Sequence, residues 1–445
     1  MLDLFNAGIV SLVITTAGLP TTAYPTELMV WQNTPPVLIR EADLVAQAAL
    51  LQHLQSLSQR GLDPRAQGVW IQQGNILLAQ NQGTTPVPAA SLTKVATSLV
   101  SLYILGPNHQ FETQIRATAP IVNGVLRGDL IVQGGGDPLL VWEDAIAIGN
   151  ALNQLGIRQV TGNLLITGNL MVNFESDRLK SGNLLKQGLN SRQWNSEVER
   201  QYRTLAAGTP RPQVEIAGQV SLVGYGTDLL PASTPLLRQR SLPVKQIIKL
   251  MNIYSNNAIS EAMATTVGGA AVVAQRAAQL AGVPQNEILL QNGSGLGVEN
   301  RISPRAVCAM FAALQRYAES QHLTLADLFP IAGTDEGTIE NRRIPRYALV
   351  KTGTLNDVSS LGGVIPTRDR GLVWFAIMNR GTDLDGLRAR QDSLLQALTA
   401  QWGVASPPPL AVQPTAPIHS VTGIVGDTRR ISSAQAAAEN YWQRQ

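Results

Sequence analysis

The chain has 445 residues, of which 44% are hydrophobic and 15% charged, with a formal net charge of +3. That length can bury a large core and implies two or more domains, and the apolar fraction excludes intrinsic disorder. So small a charge, with no basic run interleaved with aromatics, excludes the electrostatic footprint of a nucleic-acid partner.

In chain order, the apolar stretch "LFNAGIVSLVITTAGL" is followed by "PTTAYP", with small residues at Thr21 and Ala23 spaced as at a cleavage site. Residues 1–23 read as a secretory signal peptide, too short for a comfortable membrane span. Asp3 and the missing basic start run against this, so an uncleaved anchor stays open. Any membrane association would rest on this segment, and the expected location is the periplasm or cell envelope. Next, "EADLVAQAALLQHLQSLSQRG" predicts an amphipathic helix closed by Gly61, and "GVWIQQGNILLAQN" a hairpin about Gly74-Asn75. "PAASLTKVATSLV" predicts a buried helix carrying Leu92, Ala96, Leu99 and Leu102 at helical spacing and ending at Gly106-Pro107.

From about 111 to 234 the texture is β-rich, with a hairpin at Asn123-Gly124 and short runs separated by glycine turns in "VTGNLLITGNLMV". Helical texture returns in "LPVKQIIKLMNIYSNNAISEAMATTV". Then "RYALVKTGTLND", "SSLGGVIPT" and "GLVWFAIMNR" read as three successive strands before a helix near 385–402. The proline-rich "SPPPLAVQPTAP" reads as a linker to a weakly patterned polar tail. The expected fold class is α/β (α+β). One domain, from 24–106 and 235–403, is split by a β-rich insert at 107–234, and 404–445 forms linker and tail.

Cys308 is the single cysteine, so no intramolecular disulfide forms, and its apolar setting in "RAVCAMFAAL" reads as a buried, inert thiol. His53, His109, His322 and His419 are scattered without metal-ligand spacing. The reading is therefore no metal. A Ser-His-Asp arrangement has no obvious histidine, although distant residues can assemble one.

The lysine inside the buried helix carries the chemistry. Ser91 and Lys94 are three residues apart, on one helical face, where hydroxyl and amine come within hydrogen-bond reach. A serine needs a base to become a nucleophile, and a lysine becomes that base only when burial and nearby positive charge lower its pKa, two influences that a hydrophobic helix with Ser91 at its positive N-terminal end supplies. The competing reading is a snorkelling lysine beside an N-cap serine. "VKTGTL" adds Lys351, Thr352 and Gly353 within a strand-like run, where glycine marks close approach of a ligand or backbone. "NIYSNNAISEAM" offers Ser255 and Asn257 with one residue between them. Helix capping is the bland alternative there, and Ser181 with Asn183 shows the same spacing.

Ser-x-x-Lys, Ser-x-Asn and Lys-Thr-Gly in this order resemble the signature of penicillin-binding proteins and serine β-lactamases. "GDLIVQGGGDPLL", "YSNNAISEAM", "NGSGLGVENRISP", "FPIAGTDEGTIENR" and "VKTGTLNDVSSLGG" narrow the resemblance to the D-alanyl-D-alanine carboxypeptidase/endopeptidase family, the class C low-molecular-mass penicillin-binding proteins of peptidase family S13. The similarity runs from about 40 to 400 and includes the large insert between the first and second motifs. It implies a serine peptidase acting on peptidoglycan stem peptides, acylated by β-lactams, without metal or organic cofactor. It assigns Ser91 as nucleophile, Lys94 as base, Ser255 as proton relay to the leaving amine and Asn257 as an orienting amide. Lys351 adds positive field, Thr352 and Thr354 bind the terminal carboxylate along the strand containing Gly353, and the Ser91 and Thr354 amides form an oxyanion hole.

Two other motifs fall away. "VQGGGDP" lacks the lysine and hydroxyl of a phosphate loop and reads as a strand-ending turn. "NGSGLG" has Asn292 where a nucleophile elbow needs glycine; the family usually has aspartate there, and often serine where Gly297 stands. Two competing functions remain: a β-lactamase of the same fold and a catalytically silent wall-binding protein. No class A glutamate motif is found, and Ser255 is not the tyrosine of class C β-lactamases.

Overall fold

In the computed structural model, which describes residues 38–39, 43–224, 229–416 and 425–433, the short strand Leu38–Ile39 leads into helix α1 (Leu44–Ser58). The segment read as a signal peptide lies outside the described residues. The Asp43 side chain accepts from the Ala46 amide and so starts α1. The hairpin Gly68–Gln73/Ile76–Asn81 turns at Gly74, whose φ of +52° suits glycine. A 3₁₀ turn, Ala90–Leu92, then runs into α2 (Thr93–Leu105), which Gly106 ends at φ +81°.

Residues 112–240, joined by 431–433, build a second sheet in the order Val220–Leu222, Leu164–Asn169, Leu130–Gly135, Glu112–Ala117, Thr234–Arg240, Ile431–Ser433. The Asn123-Gly124 hairpin is present, with both residues at positive φ, as a tight two-residue turn requires. The β-rich texture is only half of this region: α3 (Trp142–Gln154), α4 (Arg178–Gly188) and α5 (Ser196–Tyr202) pack with the strands, and a one-turn α6 (Leu229–Ala232) follows. The physical reason is visible in "WEDAIAIGNALNQ". Trp142, Ala145, Ile146 and Leu152 are buried at helical spacing, and Glu143 and Asp144 sit in the first turn, where the helix dipole favours acids. Ser181, which shares the Ser-x-Asn spacing, is buried in α4. Its hydroxyl accepts from the Val172 amide and donates to the Glu175 carbonyl, a structural role.

The chain then supplies α7 (Val244–Tyr254), α8 (Asn257–Thr266), α9 (Ala270–Ala281), α10 (Pro304–Ser320), three antiparallel strands, Leu349–Leu355, Val358–Thr367 and Gly371–Arg380, and α11 (Leu384–Trp402). These strands join the N-terminal hairpin in a six-stranded sheet, with Leu349–Leu355 at one edge. Alternation sorts their side chains between two covered faces. Val69, Ile71, Val373, Phe375 and Ile377 pack toward α1 and α11, whereas Trp70, Trp374, Ala376 and Met378 join the core of α2, α9 and α10. Cys308 lies fully buried in that second core, and burial pushes its thiol pKa well up. Each core aliphatic buried in this way contributes about 1.5–3 kcal/mol.

The end of the chain does more than link. Ile431–Ser433 pairs antiparallel with Thr234–Arg240, the Gly426 amide donates to Asp144, and Arg430 forms an ion pair with the same carboxylate. The polar composition of this segment hid a strand that forms only through distant pairing. None of the described helices is long and apolar enough to cross a membrane.

Candidate active site

Strand alternation decides which way Lys351 points. Leu349 packs toward α2 and Val350 toward α1 and α11, so Lys351 falls on the α2 side, fully buried. Gly353 lies on the same side, against the 3₁₀ turn that carries Ser91: a β-carbon at Gly353 would stand 2.2 Å from Ser360 Oγ and 2.9 Å from both the Ala89 carbonyl oxygen and the Ser91 amide nitrogen. Only glycine allows the sheet edge to approach the nucleophile turn this closely. Ser360 in the neighbouring strand ties the same turn down by donating to the Ala89 carbonyl at 2.8 Å.

Ser91 is partly exposed and Lys94 fully buried. Lys94 Nζ lies 2.9 Å from Ser91 Oγ, 2.7 Å from Asn257 Oδ1 and 2.8 Å from the Ser294 carbonyl oxygen. The capping alternative for the Ser-x-Asn motif resolves neatly: Asn256 is the N-cap of α8, its side chain accepting from the Ile259 amide. Its neighbours are thereby left free to line the cleft. Ser255 ends α7 in the left-handed region at φ +54°, a strained conformation for a serine that turns it toward the site. Lys351 Nζ donates to Ser255 Oγ at 2.9 Å and to the Thr352 carbonyl at 2.8 Å.

The electrostatics follow from burial. It lowers the Lys94 pKa to about 7, opposed by the attraction of Glu261. Burial lowers Lys351 well below its usual value too, and the charge of Lys94 lowers it further. Of the two influences named for Lys94, burial and nearby positive charge, desolvation dominates, and the repulsion between the two amines adds to burial at Lys351. Repulsion is mutual, so the two ammonium groups disfavour being charged together.

Ser91, Ser255, Asn257, Thr352 and Thr354 open on one cleft of about 730 Å³. Thr352 Oγ1 donates to Thr338 Oγ1 at 2.8 Å, and Arg388 from α11 donates to Thr354 Oγ1 at 3.2 Å. Every residue singled out in the three motifs therefore lies in or against one site. Sequence reading missed the Ser294 carbonyl, Glu261, Thr338 and Arg388. A peptide carbonyl carries no residue-type signal, and Arg388 reaches the cleft from a helix whose sequence shows only amphipathicity. Among the described residues no group of three or more His, Cys, Asp or Glu side chains converges as a metal site would require.

A hydroxyl beside a buried amine, a second serine beside a second amine and an open strand edge are the parts that acyl transfer through a serine requires. Comparison with known proteins narrows this. The model of the D-Ala-D-Ala carboxypeptidase 3 (S13) family matches residues 48–180 and 213–401, and the chain belongs to that family as a serine-type D-Ala-D-Ala peptidase. It is similar to D-alanyl-D-alanine carboxypeptidase DacB of Haemophilus influenzae, 24% identical over 391 residues, covering 67% of this chain and 81% of that protein. It is also similar to a D-alanyl-D-alanine carboxypeptidase of an Actinomadura species, 23% identical over 442 residues, covering 75% of this chain and 80% of that one. Its fold matches a penicillin G-acylated predatory endopeptidase from Bdellovibrio bacteriovorus, in complex with an immunity protein, at a TM-score of 0.69 and 20% identity, over 82% of this chain and 99% of that one. Penicillin binding protein 4 of Haemophilus influenzae matches at 0.56 and 20% identity, over 78% and 98%.

Proposed function

We propose that this protein cleaves the D-Ala-D-Ala bond of peptidoglycan stem peptides, as a carboxypeptidase or endopeptidase, through an acyl-enzyme on Ser91, and that penicillins acylate the same serine. The observation that carries this reading is the 2.9 Å contact between Lys94 Nζ and Ser91 Oγ, made by an amine whose pKa burial has lowered to about 7. Near neutral pH a large fraction of that amine is uncharged and able to take the serine proton.

In this reading Ser91 Oγ attacks the scissile carbonyl while its proton passes to Lys94. The tetrahedral oxyanion is held by the Ser91 and Thr354 amides, each worth about 3–4 kcal/mol of barrier. Ser255 passes a proton to the leaving amine as the C–N bond breaks. The bond from Lys351 occupies a lone pair of the Ser255 hydroxyl, which leaves its own proton to be directed into the cleft. Asn257 orients Lys94, and Thr352 and Thr354, flanking Gly353, hold the terminal carboxylate. The proton that Lys94 took from Ser91 passes to Ser255, which restores the neutral amine. Water then attacks the ester carbonyl and gives a proton to Lys94, and Lys94 hands it to the departing Ser91 oxygen, so that the acid is released and both hydroxyls and the free amine are restored. No metal or organic cofactor takes part.

The family's cell-wall role supports export, and in this reading the protein works in the periplasm or cell envelope with residues 1–23 as its export signal. Residues 107–234 are read as an inserted domain, supported by their separate sheets and core. The test is to incubate wild type and Ser91→Ala with fluorescent penicillin, then with purified muropeptides, and read products by mass. The wild type should form a covalent adduct and release D-alanine or split cross-links. Ser91→Ala should do neither while keeping its fold, since the change costs only about 0.5–2 kcal/mol at a helix start. A covalent adduct on the alanine variant would overturn the assignment.

A further inference from the structure

A neutral amine has two N–H bonds and one lone pair, and the surroundings of Lys94 decide where each points. Asn257 Oδ1 and the Ser294 carbonyl, at 2.7 Å and 2.8 Å, can only accept, so they take the two N–H bonds. Ser91 alone among the three neighbours can donate, so the lone pair faces its hydroxyl at 2.9 Å. One of the two aiming acceptors is thus a backbone carbonyl on a glycine-rich loop, which needs support of its own.

That support comes from α8. Glu261, one turn beyond Asn257, accepts from the Gly293 amide at 3.0 Å and the Ser294 amide at 2.8 Å with its two carboxylate oxygens. The Gly293 carbonyl is gripped in turn by the hydroxyls of Thr97 and Ser260, each at 2.7 Å, and the Asn292 side chain accepts from the Gly295 amide at 2.8 Å. One helix therefore presents Asn257 directly and the Ser294 carbonyl through Glu261.

We infer that Glu261 is a positioning residue for acylation, fixing the Ser294 carbonyl on Lys94 so that the lone pair of the amine is aimed at Ser91. The inference rests on the reading of Lys94 as the base. Charge gives Glu261 a second influence. The charged groups acting on Lys94 are Glu261 from α8, which raises its pKa against burial, and Lys351 from the edge strand, which repels it. Removing the negative charge while keeping the side-chain shape should therefore let Lys94 lose its proton at lower pH.

The test measures second-order acylation by penicillin against pH for the full-length wild type, Glu261→Gln, Glu261→Asp and Lys94→Arg. Glu261→Gln should lower the plateau rate about tenfold, the effect of one lost charge-assisted hydrogen bond, and move the acidic limb to lower pH. Glu261→Asp, a methylene too short for both amides, should lose rate with its limb in place, and it carries the test alone if the glutamine variant does not fold. A glutamine variant with an unmoved limb or an undiminished plateau overturns the inference, as does an aspartate variant at full rate. Normal acylation by Lys94→Arg would instead overturn the reading of Lys94 as base.

Discussion

Gly353 and Ser91 approach so closely that a single added methyl would put a carbon 2.9 Å from the nucleophile's amide nitrogen. The strand edge and the 3₁₀ turn are thereby held as one surface. Gly353→Ala must push the Ser91 turn away or displace the Ser360 hydroxyl that anchors it. A shift of about 1 Å in a reacting group costs on the order of 100-fold in rate. Penicillin acylation of Gly353→Ala should drop by about that factor, in stopped-flow or gel-based labelling. A rate within a few-fold of wild type would show that the turn has slack.

The buried pair Lys249–Asp335 supports the cleft from below. Lys249 Nζ donates to Asp335 Oδ2 at 2.7 Å and to the Ala326 and Phe329 carbonyls, and Asp335 also accepts from the Ile331 amide. Burial lowers the Lys249 pKa and Asp335 pulls it back up. Removing one partner strands a buried charge, so Asp335→Ala should destabilise the fold by about 3–5 kcal/mol in denaturant unfolding. It should also loosen the segment leading to Gly337 and Thr338, which line the cleft. A loss below about 1 kcal/mol would show that the pair is dispensable.

His53, buried where α1 packs on α11, gives the fold an acid-sensitive point. Its pKa falls from 6.5 to about 4, first because of burial, with the Arg390 backbone opposing the shift and the Arg390 charge adding to it. The unfolded chain therefore binds a proton near pH 6.5 that the folded chain refuses until about pH 4. Stability should fall as pH drops through that window and level off below it, by about 3 kcal/mol at most. In urea unfolding at pH 7.5, 6, 5 and 4, His53→Leu should show a flatter dependence than wild type. Parallel curves would refute the assignment.

What the sequence made legible was chemistry borne by side chains at fixed spacing. Ser91 and Lys94 share a helical face, Lys351 and Gly353 share a strand face, and each pairing follows from local geometry alone. Asn256 hid in plain sight, because capping and catalysis were read as rivals when adjacent residues divide them. Residues 107–234 look more β in sequence than they are because their glycine turns punctuate strongly, whereas α3 is buried on two sides, Ala145, Ile148 and Leu152 against the sheet and Trp142 and Ile146 against α5, and so lacks a long exposed polar face. The Ile431–Ser433 strand and the Ser294 carbonyl were out of reach for a different reason. Both act through backbone groups brought together over roughly 190 to 200 residues, and backbone groups are the same in every residue type.

The central claim is that Lys94, neutral near its lowered pKa, takes the proton of Ser91. The most direct measurement is the pH dependence of penicillin acylation in wild type and Lys94→Arg, with thermal unfolding run beside it. Because the free amine is the active form, the wild-type rate should climb along an ionisation near pH 7 and plateau above it. Lys94→Arg keeps a positive charge that cannot be lost in a protein, so acylation should fall by about 100-fold to 10,000-fold while the unfolding temperature moves little. Near-normal acylation by the arginine variant, or a wild-type rate indifferent to pH between 5 and 9, would contradict the account.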